Sequence, residues 1–337
     1  MSPTAPSPIT WPDGKRFAFT VFDDTDNITM QNGPPVYDLF AEMGLLVTKS
    51  VWPVAPTGRP TTGGATCADP DYLAWVLGLR EFGHEIGFHN ASDHSSTREE
   101  TIEALDRFRE LFGHDPRSGA DHSENIEAVY WDAKRLTGMH AQIYGRAMKA
   151  ARPHLGRSQG EVPTSPYFWA DVLRDRIDYW RNFTFDTSNV LEPAPETPYH
   201  DPRRPFVNHW FAACHAPNLS GFLALLDGDR LDRLEHEGGV CIAYTHVGLD
   251  FAPMGQLDPR LRPALERLAA RDPWFAPTST VLDHLRSTRG HDRPISDRAR
   301  AKMERRWLSD QLRARGAHEI AKAVKYRWRR RTSTAAR

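Results

Sequence analysis

The sequence predicts an α/β fold built on a mainly parallel sheet or barrel. Apolar, β-branched or aromatic runs alternate with amphipathic helical stretches between residues 17 and 286. Glycines close the helical stretches, as at Gly44, Gly83 and Gly113. Several apolar runs also end directly in acidic residues or histidine. Reactive groups collect beyond the C-terminal ends of strands in such folds.

Taken in order, Trp11-Pro-Asp-Gly14 makes a turn into the first strand, Phe17 to Phe22, which ends in Asp23-Asp24. Pro34-Pro35 opens a short helix, Val36 to Met43. A second strand covers Leu45 to Val54, and the Gly/Thr/Pro-rich segment from Thr57 to Ala65 is a loop. The next helix runs from Asp71 to Phe82 with Tyr72, Trp75, Val76 and Leu79 on one face, and a strand from Glu85 to His89 follows. Thr97 to Phe112 is the clearest helix, with Ser96 or Thr97 as cap, early acids and late arginines. Its predicted core face is Ile102, Leu105 and Phe108 with Leu111 or Phe112. Arg117 to His122 is a strand or loop, and a helix is expected from Ile126 to Leu136.

From Gly138 to Pro217 the pattern loosens, and it reads as an insertion of long connections around one strand at Phe183-Thr-Phe-Asp186. A helix from Leu223 to Glu237, a strand from Val240 to His246 and helices at Leu261 to Ala270 and Thr280 to Arg286 complete the body. The expected division is a body of residues 1–290 and a basic, helical C-terminal extension of residues 291–337.

Composition narrows the function. The chain has 337 residues, 39% of them hydrophobic, and no apolar run approaches the ~18 residues of a membrane span. The leader Met-Ser-Pro-Thr-Ala-Pro-Ser-Pro has neither a basic start nor an apolar core, so a cytoplasmic location is expected. Three cysteines without a Cys-x-x-Cys pair agree with that. Residues 291–337 hold 15 Lys or Arg against 5 Asp or Glu, a balance of +10, so residues 1–290 carry −11 of the whole-chain −1. An acidic body argues against nucleic acid as substrate. Within the extension, Met303 and Trp307 share one face and Ile320, Val324 and Trp328 another, while Lys325 to Arg331 mixes cations with aromatics. That pattern suits peripheral contact with an anionic membrane surface, or docking on the acidic body or another subunit.

Chemistry concentrates at three strand ends: Asp23-Asp24, His89 with Asp93 and His94, and His246. Carboxylates with imidazoles suit Zn²⁺ or a similar divalent ion, which lowers the pKa of bound water to about 7 and polarises a carbonyl. A second carboxylate to take a proton and a histidine to protonate a leaving group complete an amide or ester hydrolase. Asp26 is either a turn-stabilising residue or part of the pocket. The aromatic pairs Tyr167-Phe-Trp169, Tyr179-Trp180 and His209-Trp210 are either core or stacking surfaces for sugar rings.

With these motifs in order, the chain resembles the polysaccharide deacetylase family (the NodB-homology domain, carbohydrate esterase family four) over roughly residues 9–290. The likeness rests on Phe22-Asp23-Asp24, Gly83-His-Glu-Ile-Gly-Phe-His89, Phe185-Asp186-Thr-Ser188 and Ile242-Ala-Tyr-Thr-His246. It implies a distorted (β/α) barrel and a metal-dependent deacetylase acting on an N-acetylated sugar or a polysaccharide biosynthetic intermediate. By the resemblance Asp23 is the base, His246 the acid, and Asp24 and His89 are ligands of a divalent ion, Zn²⁺ being favoured. The family's second imidazole falls at Asp93 by spacing or at His94 by residue type. Arg117 stands too early to be the family's orienting arginine, and Asp121, His122 and Asp186 are left as substrate-binding candidates. A non-catalytic carbohydrate-binding relative and a hydrolase of a non-sugar amide or cyclic imide are the alternatives.

Overall fold

A run of six buried residues without Gly or Pro, Ala18–Asp23, forms β1 at the centre of a computed structural model that describes residues 9–123, 125–151, 158–289 and 294–313. Six further strands follow: β2 (Thr48–Val51), β3 (Glu85–Phe88), β4 (Ser118–Gly119), β5 (Tyr179–Phe185), β6 (His209–His215) and β7 (Val240–Thr245). Each pairs in parallel with the next, and β7 returns to β1 from Ala18↔Val240 to Asp23↔Thr245, closing a seven-stranded barrel. An eighth strand, β8 (Trp274–Phe275), bonds β1 at Ala18 and Phe19, whereas β2 bonds it at Phe22 and Asp23. The two short strands thus share one edge of β1, which gives the barrel its distortion.

Parallel strands need crossovers, and helices supply them. These are α1 (Pro34–Glu42), α2 (Pro70–Phe82), α3 (Arg98–Phe112), α4 (Gly138–Ala151), α5 (Ala170–Arg176), α6 (Leu219–Leu225), α7 (Gly228–His236), α8 (Leu261–Ala269) and α9 (Thr278–Arg289). Thr97 caps α3 by accepting from the Glu100 amide while the Glu100 side chain accepts from Thr97, a reciprocal pair worth about 1 kcal/mol. The buried face of α3 is Thr101, Ala104, Leu105, Phe108 and Phe112, so it is rotated from the expected one and leaves Ile102 half-buried.

Three other expectations change. No helix spans residues 126–136: the segment turns through residues 126–130 and forms a short 3-10 helix, Asp132–Arg135. Its amides are drawn off by distant carboxylates, Val129 N–H donating to Asp121 and Tyr130 N–H to Glu161. The stretch 223–237 is two helices, because the Asp227 carboxylate accepts from the Asp229 amide and starts α7 afresh. Residues 138–217 hold two barrel strands rather than one, since β5 begins at Tyr179 and β6 is His209–His215. Of the aromatics there, Trp169, Trp180 and Trp210 are buried in the core and Tyr167 is half-buried.

Residues 297–313 form a C-terminal helix. Its Met303 and Trp307 are buried as one face, and Glu304, fully buried, accepts from Thr137 and pairs with His140 at 2.7 Å. Arg300 pairs with Asp201 at 2.6 Å and Arg306 with Glu192 at 2.9 Å, so this part of the basic extension docks on the acidic body. The Ile320, Val324 and Trp328 face and the Lys325 to Arg331 run lie outside the described residues. Among the described residues no helix is long and apolar enough to cross a membrane.

Candidate active site

Alternation along an extended chain sends neighbouring side chains to opposite sides, and this separates the two aspartates at the end of β1. Asp23 is fully buried: Tyr37 O–H of α1 donates to it at 2.8 Å, Val247 N–H at 2.8 Å, and Lys49 Nζ stands at 3.3 Å. Burial pushes the Asp23 carboxyl up and the Lys49 amine down. The expected base is therefore a structural acceptor, and it does not line the cavity at the barrel mouth.

Asp24 does. Arg181 of β5 grips it with two parallel hydrogen bonds, 2.7 Å to Oδ1 and 2.5 Å to Oδ2. Burial opposes the charge on Asp24, but Arg181, His89 and His246 together hold its carboxyl below the usual range. Arg181 lies on β5, 157 residues from its partner. The Arg181 guanidinium also stacks over Tyr244, 4.3 Å from the ring centre.

Asp26, two residues on, joins Asp24 and His89 in a group whose ligand atoms lie within 4.8 Å of one another. His89 Nε2 is 3.1 Å from Asp26 Oδ2 and 3.7 Å from Asp24 Oδ2. Its Nδ1 donates to the Ala120 carbonyl at 3.1 Å, which turns Nε2 toward the two carboxylates. That donor set asks for a cation at its centre and fits a divalent ion, with the far nitrogen of the imidazole anchored as metal-binding histidines usually are. Burial opposes the Asp26 charge, yet hydrogen bonds from His122 and His89 hold its carboxyl far below the usual range.

Neither candidate for the second imidazole position joins this group. His94 is half-buried with its ring against Gly58, and Asp93 accepts from the Thr62 amide at 2.8 Å and from the Gly63 amide. Asp93 thereby holds the 61–63 loop beside Asp26, to which Thr62 O–H donates at 3.3 Å. The third member of the group is Asp26, the residue two beyond Asp24.

His122, at the end of β4, lines the cavity. Its Nε2 is 3.0 Å from Asp26 and its Nδ1 3.0 Å from Asn125 Oδ1, an oxygen fixed as acceptor because Asn125 Nδ2 donates to Ser92, His94 and Glu127. Both ring nitrogens therefore donate, in keeping with a pKa raised to about 9 by Asp26 against the pull of burial. Asp121 lines the same wall, accepts from Trp180 and Val129, and is pushed up to about 7 by burial. Asp186 is elsewhere: it is exposed and paired with Arg230 at 2.9 Å, so the motif at Phe185 to Ser188 places no group in the cavity.

His246 follows β7. Its Nδ1 donates to the Pro217 carbonyl at 2.7 Å, leaving Nε2 3.7 Å from Asp26 and 3.9 Å from Asp24. The remaining wall includes Trp131, Asp132, Arg135, Tyr144, His215 and Trp307 around about 220 Å³. Tyr130 and Asp132, which flank Trp131, have φ of 51° and 52°, strain of about 1 kcal/mol or more at each. Sequence reasoning missed Arg181 and Arg135, because neither ends a strand motif. Asp26 carried a signal, being on the same side as Asp24 when counted in twos.

No family model and no curated protein matches the chain. Among solved structures it is similar to PuuE allantoinase, at 14% identity and a TM-score of 0.50 over 86% of this chain and 96% of that one. It also overlays on a probable polysaccharide deacetylase from Pseudomonas aeruginosa PAO1, at 14% identity and a TM-score of 0.48 over 84% of this chain and 94% of that one. At 14% identity the likeness to the allantoinase is one of fold, and the fold is the (β/α) barrel that the ordered motifs imply.

Proposed function

We propose that the protein is a metal-dependent hydrolase of a non-peptide amide. The observation that carries this reading is the convergence of Asp24, Asp26 and His89 beside His246 at the C-terminal mouth of the barrel. These three residues would hold a divalent ion, Zn²⁺ being favoured, which supplies a water acidified toward neutral pH and a polarised carbonyl. Arg181 fixes the Asp24 carboxylate so that it cannot swing away. His246, with Nδ1 committed to Pro217, takes the proton of the attacking water on Nε2 and returns it to the departing nitrogen. One histidine then serves as both base and acid, because Asp23 is not available at the cavity.

A half-open pocket of about 220 Å³ favours a small metabolite over a polymer chain. An N-acetylated sugar losing acetate is the first substrate class, and a biosynthetic intermediate in the cytoplasm suits an enzyme that acts on small molecules. A cyclic amide or imide opened by the same chemistry is the second reading, favoured by the same small volume. Scoring acetate release against ring opening separates them.

Metal analysis tests the reading itself. The purified protein should carry one divalent ion per chain, Asp26→Ala and His89→Ala should lose it, and His246→Ala should keep it while hydrolysis falls by about 100-fold or more. A metal-free wild type that binds sugar without turnover would establish the non-catalytic alternative instead.

A further inference from the structure

The cavity contains two arginines in opposite circumstances. Arg181 is matched by a carboxylate along its fork. Arg135, in the 3-10 turn beneath Trp131, is 6% exposed and lines the same cavity, yet its Nε and Nη2 are buried without a hydrogen-bond partner. Aromatic rings surround its guanidinium: Trp131 lies 3.8 Å from it, Trp307 5.2 Å and Phe183 5.9 Å. Such contacts stabilise the cation through the flat faces of the group and leave its N–H edge unmet. Buried N–H donors without acceptors are costly, so a fold that keeps two of them at a pocket wall has an unfilled requirement there. Nε and Nη2 are the two parallel donors on the side of a guanidinium, spaced to meet both oxygens of one carboxylate.

We infer that Arg135 is the substrate's anion-recognition residue, and that the amide hydrolysed in this cavity carries a carboxylate. The inference rests on reading the cavity as a substrate site. Asp121 and Asp132 line the same cavity, but neither accepts from Arg135 Nε or Nη2, and that edge of the fork is what is left for a ligand. Trp131 and Trp307 set the orientation of the fork and keep water from competing for it.

Calorimetric titration of the full chain with N-acetylglycine and N-acetylglycinamide, two amides of one shape that differ in charge, tests this. The acid should bind about tenfold or more tightly than the carboxamide, and Arg135→Gln should erase that preference with the ion content unchanged. Arg135→Lys, with charge but no fork, should restore part of it. Equal affinities, no measurable binding of the acid, or a preference that survives Arg135→Gln would each overturn the assignment. Should Arg135→Gln not fold, the wild-type pair decides alone. The readout is independent of turnover. A protein that selects the acid through Arg135 but hydrolyses nothing defeats only the hydrolase reading, and an active hydrolase that prefers the neutral amide defeats only this inference.

Discussion

Asp23 and Asp24 are adjacent in the chain, but one is packed against α1 and the other faces the barrel mouth. Removing Asp23 alone would strand the Lys49 ammonium, which is completely buried and otherwise bonded to the Ser50 carbonyl. Asp23→Ala should therefore cost about 3–5 kcal/mol in urea unfolding, while Asp23→Leu combined with Lys49→Met should recover most of that. The double variant should also retain the metal ion, since neither residue lines the cavity. A double variant less stable than either single change would show that the pair contributes more than mutual neutralisation. At this scale the sequence was legible where a strand ends in a reactive group, as at Asp24, His89 and His246. It was not legible at Arg181, because a guanidinium in mid-strand gains its meaning from a carboxylate on the opposite side of the barrel.

Helix α3 and the segment after β4 show why some elements could be read in advance and others could not. The capping residues, periodic apolar face and closing glycine of α3 all lie within its own span, so local reasoning found it. The segment 126–136 has helical periodicity too, but Glu127 ties it elsewhere, accepting from the Ser96 amide at 3.1 Å and from Asn125 at 2.7 Å. Burial pushes the Glu127 carboxyl up to about 8. The folded protein then holds a proton that the unfolded chain has released above about pH 4.5, so stability falls as pH rises from there toward 8. The slope from this group is at most about 1.4 kcal/mol per pH unit. Glu127→Gln should flatten the decline of urea stability between pH 5.5 and 7.5, even though it also loses one hydrogen bond. An unchanged slope would mean that Glu127 is ionised throughout and that its two donors suffice to offset burial.

For the molecule as a whole, the barrel supplies the floor of the site and the chain beyond it supplies a wall. Trp307 on the C-terminal helix is 3% exposed and packs against Tyr144 and Phe183 at ring separations of 5.2 and 5.4 Å, all within reach of Arg135. The sequence marked Trp307 as part of an amphipathic face, but the partner of that face depends on where β5 and α4 stand in three dimensions. Cutting Trp307→Ala removes both packing and wall. Unfolding free energy should drop by about 3–5 kcal/mol, the usual cost of deleting a buried indole. If the wall also sets the size limit, the ratio of kcat/KM for an N-acetylated disaccharide to that for the monosaccharide should rise in Trp307→Ala, because only the larger substrate gains from the added space. Phe183, whose ring also packs on Trp307, provides the comparison: Phe183→Leu should lower stability by a smaller amount and leave that ratio alone, since Phe183 is not among the residues lining the cavity. A ratio that stays at its wild-type value in both variants would reduce the C-terminal helix to a cover for the core and return control of substrate size to the strand ends.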